Sequence, residues 1–273
     1  MGSVRTFAAI LLLFPFFSCV KQRSSQNHSQ AEQTAAVIEA YFTEQLSTVL
    51  NNAQLPADIS QKINKDLSFN PAFILDLFTC LQGDPFLRIL VDKEHSLAED
   101  YEPEDLVELK DSSYRTGRQG LSLRSAAAVA LDEMAEAAKA EGITLTASST
   151  YRSYNTQTEI YERVVRAMGR EAADRESARP GHSQHQLGLT VDFGSITDAF
   201  AKTREGIWIA ANASRFGWSL SYPDGYEEVT GYRWESWHYR YVGRELAEFI
   251  DNYFDGIQQY ALKFIQEWEN LTE

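Results

Sequence analysis

Apolar side chains recur at close to helical spacing through residues 34–87. A period near 3.6 residues places such side chains on one face of a helix. Asn51-Asn52 and Pro56 interrupt the pattern, and a proline inside a helix removes a backbone hydrogen bond. The pattern therefore predicts a helical N-terminal extension made of several helices. The later helices of this extension are expected over Ile59–Leu67 and Ala72–Leu81.

From about residue 88 onward, helical patterns alternate with short strand patterns. Leu123–Ala140 is rich in alanine and is followed by Gly142, a residue type that often ends helices. Ile143–Ser149 alternates apolar residues with Thr, which favours a strand. Helices mixed with short strands predict an α+β fold, with a small antiparallel sheet flanked by helices. The other predicted elements are helices over 155–168, 205–216 and 244–270, strands over 191–193 and 237–242, and loops over 170–184 and 222–231.

Residues 1–19 have the composition of an export signal. Arg5 supplies a positive charge, and the apolar run Phe7–Phe17 has about the length of a signal-peptide core. The run leads to Cys19 directly after a small residue, as in lipoprotein-type signals, so we expect Cys19 to carry a lipid. An ordinary signal peptide with an incidental cysteine is the alternative. Residues 20–33 are rich in Ser and Gln and are expected to form a flexible tether.

Charge and composition exclude several classes of partner. The formal net charge of −14 over 273 residues argues against nucleic acid, which needs a basic footprint. It also argues against electrostatic docking on anionic lipid. No apolar run reaches the roughly 18 residues that span a bilayer, so membrane association is expected only through the lipid anchor. Cys80 lies in an apolar run and is expected to be a buried small hydrophobic residue.

Two stretches together offer the ligands of a metal ion. The first is GHSQHQLGLTVDF (181–193) and the second is WESWHYRYV (234–242). They contain His185, Asp192 and His238. Two imidazoles and one carboxylate, with a fourth position left to water, are the ligands of a catalytic zinc. We therefore expect one Zn²⁺ per chain and metal-assisted hydrolysis.

His182 is a rival ligand because it lies only three residues from His185. The seven-residue spacing to Asp192 favours His185, and Gly188 lies between them, where the chain must turn for both side chains to converge. The alternative is a pair of surface loops whose histidines are hydrogen-bonded and hold no metal.

Glu235 precedes His238 by three residues and is the candidate general base that takes a proton from water. On an ideal strand these two side chains would face opposite sides. Glu235 and Ser236 must therefore lie in a turn or bulge that enters the strand. His238 alternates with Tyr239, so one of these two faces the site and the other faces packing. The alternative for Glu235 is a surface carboxylate.

These motifs resemble those of a known enzyme family. The run SQHQLGLTVD resembles the S-x-H-x-x-G-x-A-x-D motif of zinc D,D-carboxypeptidases and dipeptidases of the vancomycin-resistance (VanY) type, and ESWH resembles their E-x-W-H. This family lies within the wider group of lysostaphin-like/D-Ala-D-Ala/hedgehog metallopeptidases. The resemblance extends over about Arg88–Gly243 and includes residues 90–109 and 150–157. Thr190 and Ser236 depart from the pattern, which usually has Ala and often Pro there.

The resemblance implies a zinc carboxypeptidase domain over residues 88–273, with C-terminal helices and with the zinc site carried on the small antiparallel sheet. It implies that Arg152, in the Tyr-Arg-Ser sequence, stabilises the negative charge that develops during amide hydrolysis. It also implies that Gln157 and Ser183 hydrogen-bond the substrate terminus. Tyr151 is an aromatic candidate for substrate binding beside them.

The expected function is removal of a C-terminal D-alanine from peptidoglycan stem peptides, as a D,D- or an L,D-carboxypeptidase. Such an enzyme would act outside the cytoplasm, in the periplasm or at the cell surface. The alternatives are a D,D-dipeptidase, a wall endopeptidase, or a non-catalytic lipoprotein that binds wall peptides. Glu235 and Arg152 count against a pure binder, which would not need both. A serine enzyme is disfavoured because the only S-x-x-K, Ser18–Lys21, falls at the predicted signal cleavage point.

Overall fold

The structure is a computed structural model that describes residues 42–69 and 72–272. The predicted signal segment with Cys19 and the predicted tether lie outside the described residues. The chain divides into two compact units: residues 61–262 form one, and the described part of the other comprises residues 42–60 and 263–272. Within the described residues, no helix is both long and apolar enough to cross a membrane.

The N-terminal region is helical, as predicted. The helix break falls at residues 53–56, which includes Pro56 as predicted, but Asn51 and Asn52 still belong to the preceding helix. Gln54 adopts a positive φ of 51° in this break. The predicted domain boundary near residue 88 stays a prediction. Cys80 is buried, as expected, and burial raises its pKa to about 12. The helices are α1 (42–52), α2 (Ala57–Phe69) and α3 (Ala72–Gln82).

Five short strands form the sheet that carries the candidate site. In order across the sheet they are β2 (Arg115–Thr116), β4 (Thr146–Ser149), β5 (Thr190–Phe193), β7 (His238–Tyr241) and β6 (Trp218–Leu220). The pairs β4–β5, β5–β7 and β7–β6 are antiparallel, and β2 joins the edge of β4 in parallel. Two further strands, β1 (Leu106–Glu108) and β3 (Ser122–Arg124), pair separately.

One face of the sheet packs into the hydrophobic core, and the other face carries the candidate ligands. Successive side chains of a strand point to opposite faces, so Val191 and Phe193 of β5 face away from Asp192. Both belong to the main hydrophobic cluster, together with Tyr239 of β7 and the buried face of helix α4 (Ser125–Ala140). Asp192 and His238 lie on the other face. The predicted division between His238 and Tyr239 is therefore confirmed, because Tyr239 packs in the core.

The remaining elements confirm the α+β fold and correct several boundaries. The helix predicted from Leu123 begins at Ser125, because the preceding residues pair as β3. The predicted loop over 170–184 contains a helix, and the loop over 222–231 contains one helical turn. Strands β1, β2, β3 and β6 were not predicted, since two or three residues cannot show an alternating pattern. The other helices are α5 (Tyr154–Met168), α6 (Arg170–Glu176), α7 (Arg204–Asn212), α8 (Glu227–Thr230), α9 (Arg244–Tyr253) and α10 (Gln258–Thr272).

Candidate metal centre

Strand register brings two of the predicted ligands together. Asp192 of β5 pairs directly with His238 of β7. His185 reaches the same point from a 3₁₀ turn, Gln184–Leu187, that precedes β5. All three side chains are buried, and one potential ligand atom from each lies within 4.8 Å of the others. His185 Nε2 is 3.2 Å from Asp192 Oδ2, and His238 Nδ1 is 3.1 Å from Asp192 Oδ1.

The turn that presents His185 is fixed at both ends. At its start, the Ser183 hydroxyl accepts a hydrogen bond from the His185 N–H. At its end, Gly188 adopts a φ of 70°, which side-chain-bearing residues rarely adopt. A Cβ added at Gly188 would lie 2.9 Å from a Leu106 methyl carbon and 3.0 Å from the Arg124 Cγ. The positive φ and the lack of room for a Cβ therefore both require glycine at position 188, as the sequence predicted.

Gly188→Ala should destabilise the protein more than Gly142→Ala. Both glycines have nearly the same positive φ, 70° and 72°, but a Cβ at Gly142 would meet nothing within 4 Å. Left-handed backbone strain of about 1–2 kcal/mol is common to both variants, while only Gly188→Ala adds an overpacking cost of about 1–3 kcal/mol. Denaturant titration of both variants gives the two free energies of unfolding. Equal losses would contradict the argument from close contact.

Hydrogen bonding fixes the proton position on His185. Its Nδ1 lies 2.7 Å from the Thr150 carbonyl oxygen, which can only accept. Nδ1 therefore carries the proton, and the lone pair on Nε2 faces the carboxylate of Asp192. Metal-binding histidines are oriented by an outer hydrogen bond of this kind.

The charges of the cluster are shared unequally between the two imidazoles. Burial lowers the pKa of His185 to about 4, and the nearby positive charge of Arg152 acts in the same direction. Burial also opposes a charge on His238, but Asp192 and Glu235 outweigh it and raise the pKa of His238 to about 9. Burial alone would raise the pKa of Asp192, yet the two imidazoles hold it well below its usual range. Asp192 is therefore a carboxylate, and one imidazole nitrogen lies near each of its two oxygens.

These residues fit a divalent cation. Oδ1 of Asp192 is buried and has no hydrogen-bond partner among the described residues, although His238 Nδ1 lies 3.1 Å away. The neutral Nε2 of His185 directs a lone pair at Oδ2 of the same carboxylate. A cation between these atoms would satisfy both. Two imidazole nitrogens and one carboxylate oxygen are a donor set typical of zinc.

Glu235 lies next to the candidate ligands, and hydrogen bonds of its backbone fix its position. Its Oε2 is 3.3 Å from His238 Nδ1, and its side chain is 13% exposed. The His238 N–H donates to the Glu235 carbonyl over 3.2 Å, and the Glu235 N–H donates to the Tyr222 carbonyl over 3.0 Å. The predicted turn at Glu235 and Ser236 is therefore confirmed. It brings the carboxylate to the side of the sheet that carries His238.

Arg152 follows β4 and reaches the same centre. Its Nη2 donates to Asp192 Oδ2 over 2.8 Å, and its Nε donates to the Ser149 hydroxyl over 3.0 Å. Its Nη1 donates to Gln157 Oε1 over 3.3 Å. Three hydrogen-bond partners hold the planar guanidinium of Arg152 in one orientation. Its positive charge is therefore fixed beside Asp192. The side chain remains 16% exposed.

The other sequence candidates have internal partners. The amide of Gln157 is buried, accepts from Arg152, and donates to the Ala178 carbonyl over 2.7 Å. Ser183 is buried and caps the His185 turn, whereas Tyr151 is partly exposed. Their contact with a substrate stays a prediction. His182 lies outside the group of ligands, and its Nδ1 is 2.8 Å from the Asp92 carbonyl oxygen.

Sequence reasoning missed the residues behind His238. Its Nε2 lies 3.4 Å from Oε1 of Gln184, and Ser221 and Gln258 lie behind that amide. Gln184 falls inside the recognised motif, but at a position that the motif treats as variable. Ser221 and Gln258 are distant in sequence from every motif, so only the fold reveals them.

A buried pair of imidazoles with one aspartate, flanked by a carboxylate and a guanidinium, defines the class of metal-dependent hydrolases. Comparison with known proteins narrows this class. Residues 120–244 match the family model of VanY, D-alanyl-D-alanine carboxypeptidase. The putative carboxypeptidase YodJ of Bacillus subtilis (strain 168) is 36% identical over 203 residues, which cover 71% of this chain and 74% of that protein. The chain therefore belongs to the VanY-type D-alanyl-D-alanine carboxypeptidase family, as its motifs predicted.

Solved structures support the same placement. The LD-carboxypeptidase LdcB matches with a TM-score of 0.56 and 37% identity, over 62% of this chain and 85% of that one. A variant of the vancomycin-resistance D,D-pentapeptidase VanY, in complex with Zn(II), matches with a TM-score of 0.53 and 32% identity. That match covers 63% of this chain and 96% of the other. The predicted α+β fold is confirmed by these neighbours.

Proposed function

We propose that this chain is a zinc-dependent carboxypeptidase that removes a C-terminal D-alanine from peptidoglycan stem peptides. The observation that carries the proposal is the buried His185, Asp192 and His238 cluster with Glu235 Oε2 3.3 Å from one ligand nitrogen. The relatives support the substrate class, since they include a D,D-pentapeptidase that binds Zn(II) and an LD-carboxypeptidase studied for peptidoglycan recognition.

The three ligands would hold the zinc, which supplies Lewis-acid activation of a carbonyl group and of water when bound. Glu235 would orient the attacking water, accept its proton and pass this proton to the leaving amine. Its small exposed fraction and its place beside His238 suit a group that must meet water and substrate at the ligand cluster. A base kept out of the ligand set keeps its lone pairs for proton transfer.

Arg152 would stabilise the negative charge that develops on the carbonyl oxygen. Gln157 and Ser149 support this role because their hydrogen bonds hold the guanidinium before any substrate arrives. Stabilisation by a charge that is already in place needs no reorganisation during the reaction. Tyr151 and Ser183, with Gln157, are the proposed contacts to the peptide terminus.

Arg152→Ala should retain zinc and lose turnover. Arg152 is a hydrogen-bond donor to Asp192 and not a ligand, so its loss leaves the three donor atoms in place. The rate constant kcat should fall by about 10²- to 10³-fold, the effect typical of removing one oxyanion donor. Zinc content and kcat are measured on the same preparation. Arg166→Ala, which removes one exposed arginine from helix α5, is the matched control and should keep full activity.

The substrate is tested by mass spectrometry of stem peptides incubated with the zinc-loaded protein. Loss of one alanine from a pentapeptide supports D,D-carboxypeptidase activity, and loss of one alanine from a tetrapeptide supports L,D-carboxypeptidase activity. Release of D-Ala-D-Ala would indicate a dipeptidase, and cleavage of cross-linked dimers would indicate an endopeptidase. Bound zinc and measurable peptide affinity without any cleavage would favour the non-catalytic binding protein instead.

We also propose that the protein acts outside the cytoplasm and is anchored through a lipid on Cys19. The support is the signal-like composition of residues 1–19 and the similarity to LdcB, an LD-carboxypeptidase studied for peptidoglycan recognition. Cys19→Ser should move the protein from the membrane fraction to the soluble fraction. Cys80→Ser is the matched control, because Cys80 is buried and should not affect anchoring. Equal membrane association of the Cys19 variant and the wild type would refute the anchor.

A further inference from the structure

A row of buried polar side chains extends away from the metal centre behind His238. Gln184, Ser221 and Gln258 are at most 3% exposed. Gln184 belongs to the His185 turn, Ser221 follows β6, and Gln258 is the first residue of helix α10. Three polar side chains in such a place must hydrogen-bond one another, since an unpaired buried polar group costs about 1–3 kcal/mol.

The hydrogen bonds of this row have one direction. The amide nitrogen of Gln258 donates to the Ser219 carbonyl oxygen over 3.4 Å. Because that carbonyl can only accept, the other end of the Gln258 amide is its oxygen. This oxygen accepts from the Gln184 amide nitrogen over 3.3 Å. The Gln184 oxygen is thereby left to face His238.

At the near end of the row, the Gln184 oxygen accepts from the Ser221 hydroxyl over 2.7 Å. The same oxygen lies 3.4 Å from His238 Nε2. An oxygen acceptor requires a proton on that nitrogen, so the neutral imidazole of His238 must leave Nδ1 unprotonated. Nδ1 is the atom that faces Asp192 at 3.1 Å. The Ser219 carbonyl, acting through the amides of Gln258 and Gln184, therefore determines which nitrogen of His238 is available to a metal.

We propose that Gln184 and Gln258 are positioning residues that hold His238 in the tautomer whose Nδ1 binds zinc. The inference rests on the proposed zinc-dependent function and adds residues that act only through a ligand. It also links the start of helix α10 to the metal centre, since Gln258 sets the orientation of the Gln184 amide. Outer hydrogen bonds of this kind fix both tautomer and ring orientation in metal sites.

The first test measures zinc affinity by competition with a chelator, without reference to turnover. Gln184→Leu keeps the approximate size of the side chain but removes the acceptor for His238, so zinc affinity should fall by about 10- to 100-fold. Gln184→Glu retains an oxygen acceptor for His238 and Ser221 but loses the donor to Gln258, so its zinc affinity should fall clearly less than that of Gln184→Leu. If Gln184 had a purely structural role, the leucine variant would not bind zinc more weakly than the glutamate variant.

Gln258→Leu tests the far end of the row, and Gln259→Leu is its matched control. Gln259 is the neighbour of Gln258 on helix α10, is also buried, and donates to Asp92 outside the row. Gln258→Leu should weaken zinc binding, whereas Gln259→Leu should leave it unchanged even if it lowers the melting temperature. Equal zinc affinity in the two leucine variants would overturn the role of Gln258.

Nitrogen-15 NMR of the zinc-loaded protein reports the tautomer directly. The wild type should show His238 with a protonated Nε2 and a metal-bound Nδ1, and Gln184→Leu should show weakened or mixed signals. If the wild type binds zinc and Gln184→Leu retains both its affinity and its tautomer, the positioning role is wrong and the proposed function stands. If the wild type binds no zinc, the proposed function itself fails.

Discussion

His185→Ala is expected to lose zinc and turnover together, and His238→Ala should behave in the same way. Each variant removes one of three donor atoms that converge within 4.8 Å. Two remaining protein ligands do not make the three-ligand site typical of a catalytic zinc, so hydrolysis of a stem peptide should fall to the uncatalysed background. Metal content after dialysis and the rate of alanine release are the two measurements. Circular dichroism shows whether the variants remain folded.

His182→Ala is the matched control for the ligand variants. It removes a histidine three residues from His185, but one whose Nδ1 is 2.8 Å from the Asp92 carbonyl oxygen and which lies outside the ligand group. It should retain zinc. Retention of zinc in His185→Ala, combined with its loss in His182→Ala, would transfer the ligand role to His182 and contradict the structure.

The three candidate ligands, which the structure brings together, could be found in the sequence because their chemistry is local to two short motifs. The spacing of His185 and Asp192 around Gly188 already requires a turn, and the structure shows a positive φ at that glycine. The odd spacing of Glu235 and His238 required a second turn, which the backbone hydrogen bond between them confirms. Residue type and spacing were sufficient in both cases.

The framework that joins the two motifs could not be predicted in the same way. Asp192 faces His238 because β5 and β7 pair in one particular register, and register depends on contacts between segments about 46 residues apart in the sequence. Strand β6, at the far edge, has three residues and no alternating pattern. Helix α6 was expected to be a loop because residues 170–184 are mostly polar and contain Pro180-Gly181, and only Ala173 among the residues of the helix is buried.

The residues around Arg152 show a different limit. The contact of Gln157 with the substrate stays a prediction, whereas its hydrogen bonds to Arg152 and to the Ala178 carbonyl were not foreseen. A motif identifies a residue type at a position, whereas the partner of a long side chain depends on the three-dimensional fold. Gln184 and Gln258 are further examples. Their proposed role depends on hydrogen bonds between segments that are distant in the sequence.

Glu235→Gln should keep its zinc and lose most of its turnover. The side chain is close to His238 but is not one of the three converging ligands, so the metal site should remain intact. Glutamine has nearly the same shape and cannot accept the proton of the attacking water. The rate constant kcat should therefore fall by about 10²- to 10⁴-fold, the usual effect of losing a general base. Zinc content, peptide affinity and kcat are measured side by side.

Glu228→Gln is the matched control, because Glu228 is an exposed carboxylate in helix α8, seven residues before Glu235. It changes the net charge by the same amount and should leave kcat at the wild-type value. Near-normal turnover in Glu235→Gln would refute the assignment of the base. Loss of zinc from Glu235→Gln would instead indicate that Glu235 is a ligand. Glu235 is not one of the three residues whose ligand atoms converge. Normal zinc content and normal peptide affinity with lost turnover is the result that the general-base role predicts.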